Sequence, residues 1–293
     1  MEQVILVTGS TSGFGRLMVD TLVRHGHIVF AGMRGVAGKN APVAGDLRQL
    51  AERQRLPLHV VEIDVTNDAS VEQAIDTIIQ AAGRIDVVVN NAGVSYSGPL
   101  EAFTMPQVLQ QFETNVFSVL RVNRAVLPQM RKQGSGLLLQ IGSIAGRVAL
   151  PYLGLYCSTK FALESLTESY REELAPFGID AAIVEPGTFP TNIASNRQVA
   201  EDTKRLALYH TRMDDFMTAF YSENRSSTPP DPQMVADAVA HLIALPTSER
   251  PLHTVVATAA QRRAGELADE AVSQATQSFF QALHLPSNLH TGP

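Results

Sequence analysis

Short apolar runs alternate with longer segments of helical period along most of the chain, and this alternation restricts the fold more than any other feature. Strand-like runs at 3–8, 28–33, 58–64, 85–90, 136–141 and 179–185 are separated by helical segments at 14–25, near 47–54, 70–82, 107–132 and 155–176. Runs such as Val87-Val88-Val89 and Ala181-Ala182-Ile183-Val184 have no polar alternation. A strand that is apolar on both sides must be covered on both sides, as in a parallel sheet carrying crossover helices. The expected fold class is therefore α/β: a doubly wound, single parallel sheet flanked by helices on both faces.

Residues 188–232 interrupt the rhythm, beginning at Phe189-Pro190 and ending at the turn-rich Ser226-Ser227-Thr228-Pro229-Pro230-Asp231-Pro232. The segment is too short for a core of its own and reads as an insertion with short helices around 200–221. A helix follows at 234–245, with Asp231 as a cap and Pro232 in its first turn, then a last strand at 254–258 and a helix at 259–283. The expected organisation is one domain over 1–258, with 188–232 as a substrate lid, and a helical extension over 259–293. In the final helix Leu267, Ala271, Ala275, Phe279 and Leu283 recur every four residues, a stripe expected to pack on the body or on a second subunit, with a substrate lid as the alternative.

Of the 293 residues, 45% are hydrophobic and 18% charged, and the net charge is -6. That balance excludes collagen-like and disordered classes and disfavours a nucleic-acid partner, which requires a concentrated basic face. Cys157 is the single cysteine, so no intrachain disulfide forms and a cytoplasmic location is expected. The N-terminus runs directly into a strand without a signal-peptide pattern, and no apolar run reaches the roughly 18–20 residues of a membrane span. Asn224-Arg225-Ser226 then matches a glycosylation acceptor by chance. The eight histidines show no metal-ligand spacing, so no metal is expected.

The first strand leads into Thr8-Gly9-Ser10-Thr11-Ser12-Gly13-Phe14-Gly15 and then a helix. Glycines at a strand-to-helix turn let main-chain N–H groups and the helix N-terminus approach a pyrophosphate. The second strand ends Gly32-Met33-Arg34 with no carboxylate to receive an adenosine ribose 2′-hydroxyl. Arg34 suits a 2′-phosphate, which points to NADP with NAD possible, or it is a solvated strand-end arginine. Asp64 could accept the adenine amino group or cap the following turn.

Tyr156 and Lys160 lie one helical turn apart and share a face. An ammonium beside a phenol lowers the phenol's pKa from its usual value near 10. Ser143 follows the strand at 136–141, where its hydroxyl could bind the carbonyl oxygen that Tyr156 protonates, and Asn115 sits among Phe112, Val116 and Val119 inside a helix. The glycine-rich turn, Asp64, Asn90, Ser143 and Pro186 all fall at carboxyl ends of expected parallel strands, the edge where open α/β sheets bind ligands. Gly142-Ser143-Ile144-Ala145-Gly146 lacks nucleophile-elbow spacing, and Cys157 reads as a small buried residue.

Together, Thr8-Gly9-x-x-x-Gly13-x-Gly15, Asp64, Asn90-Asn91-Ala92-Gly93, Asn115, Ser143, Tyr156-x-x-x-Lys160 and Pro186-Gly187 resemble the short-chain dehydrogenase/reductases, over about residues 3–187 in motifs and to near 258 in layout. The resemblance implies a Rossmann fold in which the 9–15 turn holds the pyrophosphate, Asp64 and Val65 meet the adenine, and Asn91, Ala92 and Gly93 flank the cofactor. It implies Tyr156 as general acid/base and Lys160 as ribose ligand that depresses the tyrosine pKa. Ser143 would orient substrate, Asn115 would hold a relay water, and Pro186, Gly187 and Thr188 would contact the nicotinamide. It further implies a homodimer or homotetramer through the helices at 107–132 and 155–176. Two departures stand out: Gly142 where many members carry a second serine, and Asn192 where relatives often have an acid. The expected activity is interconversion of an alcohol and a carbonyl, on a small molecule that the apolar Phe189, Leu206, Leu208, Tyr209, Met213, Phe216, Met217 and Phe220 make hydrophobic or bulky. The alternative is a sensor that binds the dinucleotide without catalysis.

Overall fold

In the computed structural model, which describes residues 2–222 and 229–284, seven strands form one parallel sheet in the order β3-β2-β1-β4-β6-β7-β9. The strands are β1 (Val4–Thr8), β2 (Ile28–Met33), β3 (Leu58–Glu62), β4 (Val87–Asn90), β6 (Gly136–Ile141), β7 (Ile179–Pro186) and β9 (His253–Val256). β5 (Tyr96–Ser97) and β8 (Gln198–Val199) form a separate parallel pair. Side-chain alternation within each strand divides the core. Ile5, Val7, Val87, Val89, Leu137 and Leu139 face one layer, whose helices are α1 (Gly13–Arg24), α2 (Ala41–Gln54) and α10 (Gln233–Ala244). Val4, Leu6, Val88, Leu138 and Ala181 face the other, against α3 (Asp68–Ala82) and α5 (Ser118–Gln133). Each fully buried Leu, Ile or Val is worth about 1.5–3 kcal/mol, so unbroken apolar strands stabilise both layers at once.

The chain reverses its direction of progress across the sheet between β1 and β4, which opens a crevice at their carboxyl ends. Thr8 secures this crevice. Its hydroxyl accepts the N–H groups of Asn91 at 3.0 Å and Ala92 at 3.1 Å, tying the end of β1 to the segment after β4.

The helix expected over 107–132 is divided into α4 (Met105–Phe112), a π-helical turn at Glu113–Phe117 and α5. A π turn inserts one residue into the helical ladder, a device that re-aims a side chain and is concentrated at functional sites. The second helix begins at Ala41, six residues before its expected start, with a proline in its first turn. The insertion carries α7 (Asn192–Ser195), α8 (Thr203–Ala207) and α9 (His210–Phe220), and β8 joins it to the loop after β4, a pairing the sequence did not announce. α6 (Gly154–Leu174) and α11 (Ala259–Ala282) complete the set. Pro232, expected in the first turn of α10, holds the N-cap position instead, and Asp231, expected as the cap, lies one residue before it and accepts the N–H of Gln233. The Asn224-Arg225-Ser226 motif and residues Ser226-Ser227-Thr228 lie outside the described residues.

The apolar stripe of α11 does not meet the body of the chain: Leu267, Phe279 and Leu283 are exposed. The face turned inward carries Gln261, Gly265 and Asp269 instead. Among the described residues, no helix is long and apolar enough to cross a membrane.

Candidate active site

The turn after β1 is held open by its own geometry. Gly9 and Gly13 take φ of +69° and +55°, and a Cβ at Gly15 would lie 2.3 Å from the Gly9 carbonyl oxygen, so α1 can close on the loop only with glycine there. The Asn91 amide donates to the carbonyls of Thr8 at 2.9 Å and Gly9 at 3.2 Å. Ser10 turns its hydroxyl inward to the Val7 carbonyl at 2.6 Å, and Ser12 occupies the helix N-cap without a side-chain capping bond. With the Thr8 and Gly9 carbonyls and the Ser10 hydroxyl engaged, the Ser10 N–H bound to the Gly32 carbonyl at 3.1 Å, and no acid in the first turn of α1, the edge offers the N–H groups at the start of α1 and the positive helix end. That chemistry fits a pyrophosphate. Phe14 meets Phe189 edge-on at 5.6 Å, joining the turn to the start of the insertion.

Arg34 is exposed just beyond β2. The Glu62 carboxylate accepts the next two main-chain N–H groups, Gly35 at 2.6 Å and Val36 at 2.8 Å, and so fixes the loop that carries Arg34. Asp64 caps its turn, accepting the Thr66 N–H at 3.0 Å and hydroxyl at 2.7 Å. Partial burial raises its pKa, but the Thr66 hydrogen bonds and the charges of Arg34 and Arg121 together hold it below the ordinary value. Val65 is buried in the layer beside α3.

Across the crevice, Asn115 projects from the π turn. Its Oδ1 accepts the Val94 N–H at 2.8 Å, and its Nδ2 donates to the Val94 carbonyl at 2.9 Å and the Thr159 hydroxyl at 3.0 Å. The side chain thus joins the loop after β4 to α6, beside Gly93, where a Cβ would approach Asn115 Oδ1 to 3.4 Å.

Tyr156 and Lys160 project from α6. The Lys160 ammonium donates to the Ile141 carbonyl at 2.8 Å and lies 5.6 Å from the centre of the Tyr156 ring. Burial lowers its pKa to about 8, with Glu164 one turn along opposing the shift. The Ser143 hydroxyl accepts the Ala145 N–H at 3.1 Å, donates to the Pro186 carbonyl at 3.3 Å, and faces Tyr156 closely enough to favour the phenolate. One expectation needs correction here. Burial raises the Tyr156 pKa well above its usual value, the Ser143 hydroxyl only partly offsets this, and the lysine does not bring the phenol below 10.

Over Tyr156 lies an apolar cluster: Met213, Met217, Phe216 and Phe220 from α9, with Leu206, Leu153 and the buried Cys157. Three residues expected to be part of this surface are not. Phe189 is buried in the core layer beside α1, against Phe14. Leu208 is 77% exposed, and the Tyr209 hydroxyl is bound to Glu101 at 2.5 Å.

Beneath the site is a group of charges absent from the sequence-based expectations. Arg147, 5% exposed at its side chain, places Nε 2.9 Å from Glu185 and 2.5 Å from Asp269, and Nη2 3.3 Å from Glu164 and 2.6 Å from His253 Nδ1. Glu164, Glu185 and His253 converge as metal ligands do, but the guanidinium stands among them and supplies the positive charge. Two signals were available: Glu164 continues the Tyr156–Lys160 face by one more turn, and Glu185 is an acid inside an apolar strand.

The family model for short chain dehydrogenases matches residues 3–202. The chain is 40% identical over 201 residues to a 3-ketodihydrosphingosine reductase from Bacteroides thetaiotaomicron, covering 69% of each protein. It resembles the solved structure of a short-chain dehydrogenase from Streptomyces avermitilis at 28% identity and a TM-score of 0.74, over 97% of both chains. It also resembles an alcohol dehydrogenase from Thermococcus sibiricus solved with 5-hydroxy-NADP, at 25% identity and a TM-score of 0.69, over 87% of this chain and 96% of that one. The family match over residues 3–202, the relative at 40% identity and the shared fold together show that this chain belongs to the short-chain dehydrogenase/reductase family, as an oxidoreductase acting on CH–OH groups.

Proposed function

We propose that the protein is an NADP(H)-dependent carbonyl reductase or alcohol dehydrogenase for a hydrophobic, bulky substrate. The observation that carries this reading is the placement of Tyr156 next to Ser143 and beneath an apolar cover, at the same sheet edge as the glycine turn. When bound, a nicotinamide dinucleotide supplies the hydride acceptor or donor. The 9–15 turn would hold its pyrophosphate, Asp64 and Val65 its adenine, and Lys160 its nicotinamide ribose, with Asn91, Ala92 and Gly93 along its flank and Pro186, Gly187 and Thr188 at the nicotinamide. Ser143 would donate a hydrogen bond to the substrate oxygen while Tyr156 transfers the proton to it. A buried phenol with a raised pKa is protonated at neutral pH, the form that carbonyl reduction requires. A homodimer or homotetramer in the cytoplasm completes the proposal, with 1–258 as one domain, 188–232 as the lid and 259–293 as an extension; light scattering at micromolar concentration should give at least twice the 31.7 kDa chain mass, and a monomer would contradict it.

The apolar cover favours long-chain or polycyclic ketones, in keeping with the named substrate of the Bacteroides relative. An NADPH-consumption assay over ketones, aldehydes, steroids and sugars tests the reading; consumption confined to sugars would contradict the hydrophobic assignment. Arg34 is the proposed partner of the 2′-phosphate. Titration by cofactor fluorescence should show NADPH bound more tightly than NADH, and Arg34→Asp should reverse that order through charge repulsion with the phosphate and a new acceptor for the 2′-hydroxyl. Equal affinities in the wild type would remove Arg34 from the cofactor site.

A further inference from the structure

α11 touches the active site at three points along one face. Gln261, Gly265 and Asp269 are spaced four apart, which puts them on one side of the helix. Gly265 is its buried residue, and a Cβ there would lie 3.0 Å from Val255 Cγ2 and 3.5 Å from Ile144 Cγ1, beside Ser143. Asp269 reaches Arg147 at 2.5 Å. These two contacts set the height and rotation at which Gln261 meets the segment after β7.

There the Gln261 amide forms a two-point contact with Thr188. Oε1 accepts the Thr188 N–H at 2.9 Å, and Nε2 donates to Thr188 Oγ1 at 3.3 Å. The amide orientation follows from chemistry, because a main-chain N–H can only donate and so must face the oxygen. Nε2 must then face the threonine hydroxyl as a donor. A hydroxyl that accepts from Nε2 keeps its own hydrogen for another partner. The same contact accounts for Gly187, where a Cβ would lie 2.2 Å from Gln261 Oε1 and 2.7 Å from Ala257 Cβ.

We propose that Gln261 is a positioning residue for the cofactor: by occupying the acceptor side of the Thr188 hydroxyl and fixing its main-chain N–H, it aims the hydroxyl hydrogen as a donor toward the nicotinamide carboxamide. This rests on the proposed dinucleotide site, and the test separates the two. Affinities of NADPH and of adenosine 2′,5′-bisphosphate, which carries the adenosine end but no nicotinamide, are measured by titration calorimetry for wild type, Gln261→Leu, Gln261→Glu, Thr188→Val and the Gln261→Leu/Thr188→Val pair. Gln261→Leu should weaken NADPH about five- to tenfold, the size of one hydrogen bond, raising KM for NADPH more than it lowers kcat. Gln261→Glu keeps the shape and the bond to the Thr188 N–H but turns the hydroxyl inward, so it should bind NADPH as weakly as Gln261→Leu. The double variant should be no more than about twofold weaker than either single one. Adenosine 2′,5′-bisphosphate should bind all of them equally.

Three results would overturn the proposal: Gln261→Glu binding NADPH like wild type, the single effects multiplying in the double variant, or adenosine 2′,5′-bisphosphate weakening in parallel with NADPH. A wild type that bound neither ligand would instead defeat the dinucleotide reading itself.

Discussion

Tyr156→Phe should lower kcat by about 10²–10⁴-fold, the usual contribution of a positioned general acid, while the affinity for NADPH stays within about twofold of wild type. The substitution removes one oxygen from a ring that α6 and the apolar cluster from α9 hold in place. Lys160 keeps its bond to the Ile141 carbonyl and the glycine turn is untouched, so binding and proton transfer separate cleanly. Ser143→Ala should act in the same direction with a smaller loss, because the serine hydroxyl steadies the reacting oxygen without transferring the proton. Steady-state rates and fluorescence titration on the same preparation check both. Undiminished turnover in Tyr156→Phe would remove the phenol from the chemistry.

Arg147→Met should destabilise the fold by about 3–5 kcal/mol, the cost of leaving buried carboxylates without their cation, and by more at pH 8 than at pH 6. Burial and the proximity of Glu185 raise the pKa values of Glu164 to about 8 and of Asp269 to about 7, while the neighbouring carboxylates raise that of His253 to about 9. For the two acids the folded chain holds protons that the unfolded chain has already released. Stability from this source is therefore present at the ordinary carboxylate range and declines as pH rises toward 8. His253 has the same sign, its contribution being complete below 6.5 and lost as pH rises through about 9. Lys160 has the opposite sign, but only above about pH 8, where the folded chain loses its proton first. Wild-type melting temperature should accordingly fall between pH 6 and 8, and Glu164→Gln should flatten that fall. Thermal denaturation across this range reads both effects, and an Arg147→Met chain as stable as wild type at pH 8 would mean that the carboxylates are solvated rather than held by the guanidinium.

The parts legible in the sequence were those written in local pattern. Unbroken runs such as Val87–Val89 announced strands buried on both sides, and the glycine turn, Ser143 and Tyr156–Lys160 each sit where a strand end or helix turn could be read from a few neighbouring residues. What periodicity could not supply was contact between polar groups far apart in the chain. Arg147, Glu164, Glu185, His253 and Asp269 come from five different segments, so nothing local marks them as one cluster. α11 shows the same limit in reverse. Its apolar stripe suggested the packed face, whereas two hydrogen bonds between Gln261 and Thr188, a close approach at Gly265 and one ion pair at Asp269 decide which side meets the body. The π turn at Asn115 was hidden for a related reason: apolar spacing runs smoothly through Phe112, Val116 and Val119, and the partners that hold the Asn115 side chain, Val94 and Thr159, are distant in sequence.

Hydride transfer between a nicotinamide dinucleotide and a carbonyl carbon, with the proton supplied by Tyr156, is the proposed reaction. Its most direct test supplies NADPH deuterated at C4, prepared in both stereochemical forms, together with the hydrophobic ketones reduced in the consumption assay, and measures the alcohol product by mass spectrometry. The alcohol should be one mass unit heavier with one of the two forms, and Tyr156→Phe should form it at least about 100-fold more slowly than wild type. Unlabelled alcohol with both forms, or labelled alcohol formed by Tyr156→Phe at the wild-type rate, would contradict that reaction.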